Sequence, residues 1–196
     1  RHAAEYARAH IPGTINIPLN RSFTTWAGWL IPYDRDFYMI LDTSCAHCVD
    51  EAMNDLAMIG LDRVAGYFGS EVLEAWGRNG GELDSVPQIT SRELAERLPT
   101  GDLTVLDVRG AAEWEAGHIP GVENIPVGYL EEQLAELPND RPLVVQCQSG
   151  GRSAIAASLL RSRGFTNVIN LIGGYEEWRA AGNPTEREAQ TADAAA

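Results

Sequence analysis

Long apolar runs are missing from this chain, and their absence excludes one class of protein. No stretch of its 196 residues approaches the roughly 18 to 20 apolar residues that span a bilayer. The first residues, RHAAEYARAH, lack the basic-then-apolar order of a secretory signal. Positive charge is scarce: 15 Lys and Arg stand against 28 Asp and Glu, a formal net charge of −13. Such a surface repels phosphate backbones and anionic headgroups over long range, so neither nucleic acid nor membrane is an expected partner. Cysteine is scarce as well. Its count of three is odd, and Cys45 and Cys48 lie too close in sequence to staple a fold. A secreted disulfide framework is therefore not expected, and a reducing cytoplasm is the expected compartment. The remaining composition, 44% hydrophobic and 22% charged, is that of a globular chain long enough for one large or two small cores.

What is present is a repeat. RHAAEYARAHIPGTINIPLN (1–20) lies over RGAAEWEAGHIPGVENIPVG (109–128), sharing Arg, Ala-Ala-Glu, an aromatic, His-Ile-Pro-Gly, Asn and Ile-Pro in register. The chain reads as two copies of one unit. In the second copy TVLDV (104–108) precedes the matching arginine and has the β-branched, apolar character of a buried strand. The first copy has no counterpart, because the sequence starts at Arg1. The expectation is an N-terminally incomplete first domain in the remainder of a longer protein.

The second copy alternates helix and strand. SRELAERL reads as a helix capped by Thr90 or Ser91, TVLDV as a strand, AAEWEAG as a short helix, LEEQLAEL as a helix and LVVQC as a strand. SAIAASLLRSRG then reads as a helix closed by Gly164, NVINL as a strand and YEEWRAAG as a helix closed by Gly182. Alternation of this kind predicts an α/β fold with parallel sheets covered on both faces. The expected organisation is a first domain over 1–82, a linker over 83–88, a second domain over 89–184 and a disordered tail over 185–196.

The chemistry concentrates in LVVQCQSGGRSAIAASLL (143–160). In a parallel sheet, ligands bind beyond the carboxyl ends of the strands, and LVVQC delivers Cys147 to such an end. Gln148, Ser149, Gly150 and Gly151 are small or flexible enough to turn their N–H groups around a common centre, forming an anion nest. The following helix, with Ser153 in its first turn, adds unpaired N–H groups and the positive end of its dipole, and Arg152 adds a full charge. These influences favour the thiolate, which makes Cys147 a candidate nucleophile and Arg152 its electrostatic partner. The alternative is a buried core cysteine. A position at the start of a Gly-Gly turn followed by Arg favours the nucleophile.

CQSGGRS, together with LDVR, GHIPGVENIP and GGYEEW, resembles the rhodanese family of sulfurtransferases over about 89–181. The resemblance implies doubly wound parallel-sheet domains and a sulfur-transfer cycle without cofactor or metal. Cys147 would take sulfane sulfur from thiosulfate or a low-molecular-weight persulfide and hold it as a persulfide among the N–H groups of 148–151 and 153. A thiol acceptor would then remove it. Cysteine-dependent phosphatases set a longer loop between Cys and Arg, so phosphatase chemistry is the weaker enzyme reading. A non-catalytic docking module of a larger metallo-β-lactamase-fold persulfide dioxygenase or thioester hydrolase is the rival from another class.

The first copy offers no second thiol of this kind. Matching Gly60 to Gly164 puts Thr43, or with one extra loop residue Asp42, where Cys147 stands. Cys45 and Cys48 are read as two unpaired cysteines at a helix start, with a Cys-x-x-Cys redox pair as the alternative and metal disfavoured for want of further ligands. NRSFTTWAGWLIPYDR (20–35) resembles the first rhodanese-like unit of bacterial proteins with a metallo-β-lactamase-fold domain upstream of two such units, which implies an upstream domain as partner. Asp107 and Arg109 read as a pocket-shaping or strand-end pair, His10 and His118 as structural, and Trp114 and Trp178 as packing.

Overall fold

In the computed structural model, residues 1–42 and 45–187 are described, so Thr43 and the last nine residues of the expected tail (188–196) lie outside the described residues. The chain divides into two units, Arg1–Val86 with Ser158–Gly164, and Pro87–Ala157 with Phe165–Ala196.

The first unit carries α1 (Ala3–Arg8), α2 (Phe23–Leu30), β1 (Phe37–Ile40), α3 (Cys48–Met58), β2 (Val64–Phe68) and α4 (Val72–Arg78). β1 and β2 pair in parallel and form a two-stranded sheet. Phe23, Ala27, Ala52, Leu56 and Leu61 make its core, with Phe37, Met39 and Val64 packed against it. Tyr38, between Phe37 and Met39, points to the opposite face and stays exposed, and a register shift between Phe37 and Tyr38 sets Phe68 on that same face, the two rings 5.8 Å apart. No strand among the described residues of this unit takes the place that TVLDV has in the second copy.

The second unit carries β3 (Gln88–Ile89), α5 (Ser91–Arg97), β4 (Thr104–Asp107), α6 (Ala111–Glu115), β5 (Glu123–Asn124), β6 (Leu143–Gln146), β7 (Val168–Leu171) and α8 (Gly174–Ala180), while α7 (Gly151–Ser162) follows β6. Its five strands run in the order β3-β7-β6-β4-β5, and every pairing is parallel. All four residues of β6 are buried, as a central strand covered on both faces requires. Thr90 caps α5 by accepting from the Glu93 amide while Glu93 reaches back, a reciprocal box. Ile89, Leu94, Val105, Val144, Tyr175 and Trp178 belong to one buried cluster, which agrees with a packing role for Trp178.

Three expectations need correction. LEEQLAEL is not an α-helix; Val127–Glu136 is a 3-10 helix that starts after Pro126, with Val127 and Leu130 buried. An i, i+3 spacing suits three residues per turn. The expected linker 83–88 is tied down, since His10 and Asp84 exchange both backbone hydrogen bonds (2.9 and 2.8 Å), the Val86 amide donates to Ala7 (2.8 Å) and Gln88 opens β3. The start of the expected tail is also held: Glu186 and His118 exchange backbone hydrogen bonds at 2.9 Å. In both places the chain returns past a helix-closing glycine to satisfy the open backbone groups of a histidine.

Candidate active site

Cys147 is the first residue after β6 and is 1% exposed. The loop that follows turns over it, and the Gly150 amide donates to Sγ at 3.2 Å. Gly150 has φ +100, a left-handed conformation in which a side chain would be strained, and this is how its N–H comes to face the sulfur. Gly151 opens α7 and Ser153, fully buried, turns its hydroxyl to the Gly150 carbonyl at 3.2 Å. Ser149 lines a shallow pocket with Gly173, Glu176, Glu177 and Ala180. An atom carrying negative charge at Sγ therefore meets the Gly150 N–H, one residue ahead of the start of a 12-residue helix.

Arg152 does not present a free charge to the thiol. Its guanidinium is held by both carboxylate oxygens of Glu113, at 2.5 and 2.7 Å. The hydrogen bond from Arg152 holds the Glu113 carboxyl below the usual range, and the bond to Glu113 raises Arg152 in turn. Glu113 thus ties α6 to the first turn of α7. Its sequence signal was present in GAAE, where it also reaches back to the Gly110 amide at 3.3 Å, but nothing in the spacing named Arg152 as its partner.

The side chain expected to line the site at Gln148 is already engaged. Its oxygen accepts from Arg109 at 3.2 Å and its nitrogen donates to Glu176 at 3.2 Å. Arg109, 1% exposed, is anchored to fully buried Asp107 through bonds of 2.6 to 3.0 Å, donates to the Gly117 carbonyl at 2.8 Å and lies 4.3 Å over the Tyr175 ring. The pair at the end of β4 accordingly fixes both the strand and the loop, serving both of the roles open to it.

The loop is closed from the other side by α8. The amides of Tyr175 and Glu176 donate to the carbonyls of Cys147 (2.8 Å) and Gln148 (3.0 Å). That approach depends on Gly174, whose φ is +58 and where a Cβ would lie 2.2 Å from the Cys147 oxygen. GGYEEW is therefore part of the site, and the signal for it was the paired glycine ahead of a helix.

In the first unit seven residues (41–47) separate β1 from α3, where four (147–150) separate β6 from α7. Counted from the strand, Leu41 follows β1 as Cys147 follows β6. Cys45 and Cys48, expected as unpaired thiols, are joined in a disulfide; their Cys-x-x-Cys spacing puts the two sulfurs on one turn. Among the described residues, no group of three or more His, Cys, Asp or Glu side chains is assembled that could hold a metal ion, and no helix is long and apolar enough to cross a membrane.

Residues 90–181 match the sequence model of the rhodanese-like domain. The chain is 37% identical over 100 residues to a sulfurtransferase of Allochromatium vinosum, covering 50% of this chain and 94% of that one. It is 40% identical over 110 residues to the human thiosulfate:glutathione sulfurtransferase, covering 49% of this chain and 96% of that one. The Bacillus subtilis protein YrkF is 36% identical over 114 residues, 55% of this chain, and the chain spans 62% of that protein's length.

Proposed function

We propose, from the premise that the chain belongs to the rhodanese-like family, that it transfers sulfane sulfur from thiosulfate or a low-molecular-weight persulfide to a thiol acceptor through a persulfide on Cys147. The thiolate attacks the outer sulfur of the donor. The sulfur–sulfur bond of the donor breaks, sulfite or a thiolate leaves with the bonding pair, and the new terminal sulfur carries the negative charge. An acceptor thiolate then attacks that sulfur and Cys147 departs as thiolate. The observation that carries the reading is the Gly150 N–H directed at Sγ from 3.2 Å, a donor already oriented where charge resides before and after transfer. The loop of four residues between Cys147 and Arg152 forms a ring suited to one sulfur atom, which favours sulfur transfer over phosphatase chemistry.

A tandem reading of the chain is supported by one arrangement that occurs twice. His10 stacks on Tyr6 at 4.0 Å and His118 on Trp114 at 3.9 Å. Each histidine Nδ1 bonds the carbonyl four residues back, at 3.0 and 2.9 Å, and each histidine backbone is bridged to an acidic residue beyond the last helix of its unit. In this reading the first unit is a degenerate copy with no sulfur carrier at the position of Cys147.

The test is intact mass after incubation with thiosulfate, alongside sulfite release. The wild-type chain should gain the mass of one sulfur atom, and Cys147→Ser should gain none and release no sulfite while folding normally. Sulfur loading on Cys147→Ser, or aryl phosphate turnover faster than sulfur transfer, would overturn the proposal.

A further inference from the structure

Cys45 and Cys48 are disulfide-bonded across a sequence separation of 3. The bond runs from the turn before α3 to the first residue of α3, so it ties no two elements together. A loop this short also removes little freedom from the unfolded chain. The bond does little for the fold, and its use is to be sought in its chemistry. We propose that Cys45 and Cys48 form a dithiol–disulfide couple that reduces sulfur–sulfur bonds, with Cys45 as the attacking thiol and Cys48 as the resolving one.

Exposure sets the order. Cys45 is exposed, while Cys48 is half-buried at the head of an 11-residue helix anchored by buried Ala52 and Leu56. A substrate reaches Cys45 first. Cys48, the first residue of that helix, is held in place beside Cys45 to resolve the adduct. The Cys48 amide also donates to the Cys45 carbonyl at 3.4 Å, a backbone contact between the two residues beside the bond of their sulfurs. Both follow the carboxyl end of β1 in the first unit as Cys147 follows that of β6 in the second, the end of a parallel strand where ligands bind.

The step balances with either of two sulfur–sulfur substrates. With a disulfide, the Cys45 thiolate attacks one sulfur, a thiolate leaves, and Cys48 attacks the Cys45 sulfur of the mixed disulfide to expel the second thiolate. With a persulfide, Cys45 takes the outer sulfur as a thiol leaves, and attack by Cys48 on the inner sulfur releases that outer sulfur as sulfide. In each case the two cysteines lose two electrons in forming their bond, and the substrate gains them. Only the persulfide branch draws on the sulfur-transfer reading; the disulfide branch stands without it.

The test uses the full chain carrying Cys147→Ser, so that failure at Cys147 and failure at this pair are read separately. The fully reduced protein is mixed with glutathione disulfide in one arm and glutathione persulfide in the other, and thiols are counted by alkylation and mass. Closure of the Cys45–Cys48 bond with release of two glutathione molecules in the first arm identifies a disulfide as substrate. Closure with release of glutathione and sulfide in the second identifies a persulfide. Adding Cys48→Ser should trap an adduct on Cys45, and adding Cys45→Ser instead should slow adduct formation on Cys48 by about tenfold, given its lower access. Persistence of both thiols in both arms overturns the proposal, and adducts forming equally fast on either residue overturn the assigned order.

Discussion

Glu113 grips the guanidinium of Arg152 through both carboxylate oxygens, at 2.5 and 2.7 Å. The arginine that follows the thiol loop therefore belongs to a neutral pair, and the pocket beside Ser149 is rimmed by two further acids, Glu176 and Glu177. The side-chain charges beside the site therefore offer an anionic donor little net attraction, and the backbone of the loop supplies what favours it.

Glu113→Gln leaves the amide able to bond Arg152 but removes the opposing charge. Its reaction with thiosulfate should be about 3- to 10-fold faster than wild type at low ionic strength, and the gain should shrink as salt screens it. Stopped-flow loading of Cys147 across a salt series checks this. A rate that falls at low salt would mean the carboxylate's grip on Arg152 matters more than its charge.

At Gly174 a side chain would collide with backbone. Its φ is +58 and a Cβ there would meet the Cys147 carbonyl oxygen at 2.2 Å. At Gly121 φ is +71 and nothing lies within 4 Å, so Gly121→Ala bears only the left-handed penalty, about 1 kcal/mol. Gly174→Ala adds displacement of backbone and should cost upwards of about 3 kcal/mol. Urea unfolding of both variants compares them, and Gly174→Ala should also lose sulfur transfer. Equal stabilities would show that the loop backbone yields easily.

The parts of this site that were legible in the sequence are those that make their own local pattern. Cys147 and Gly150 could be found because a strand, a glycine turn and a helix are consecutive, and the repeat because His-Ile-Pro-Gly occurs twice. Glu113 and the Gln148–Arg109 contact were not legible, since pairing between residues 39 apart in sequence is fixed by how helices and strands pack. The disulfide was open as a redox alternative but not as a bonded pair, because spacing alone permits both. The 3-10 form of Val127–Glu136 is not legible in LEEQLAEL, because that composition is ordinary for an α-helix.

His10 gives the first unit a pH dependence. Burial, the largest influence, holds its imidazole below the ordinary 6.5, against opposing effects of the Tyr6 carbonyl and Asp84. The folded state thus binds the proton more weakly than the unfolded one. The associated stability is complete above the unfolded value and is lost as pH falls below it through the lowered folded value. Hydrogen exchange at the His10 and Asp84 amides, which bond each other's carbonyls, should lose protection between pH 7 and 5 after correction for intrinsic rates. His10→Gln should flatten that slope. An unchanged slope in the variant would assign the effect to other groups.

Asp107 and Arg109 test what the buried pair contributes. Both are within 1% of complete burial and are joined by a bond of 2.6 Å. Asp107→Asn keeps the shape but leaves the guanidinium without its counter-ion, and breaking a buried pair from one side costs about 3 to 5 kcal/mol. Removing both charges with Asp107→Leu and Arg109→Met should cost less than the single change, because no uncompensated ion remains. Loop function should separate from stability. Arg109 also bonds Gln148 and the Gly117 carbonyl, so the double variant, though the more stable of the two, should leave the Gln148 oxygen without its donor and load sulfur more slowly than wild type. Chemical unfolding together with loading rates measures both. A double variant less stable than Asp107→Asn would mean that the hydrogen bonds from Arg109 to Gly117 and Gln148 outweigh the desolvation of its charge.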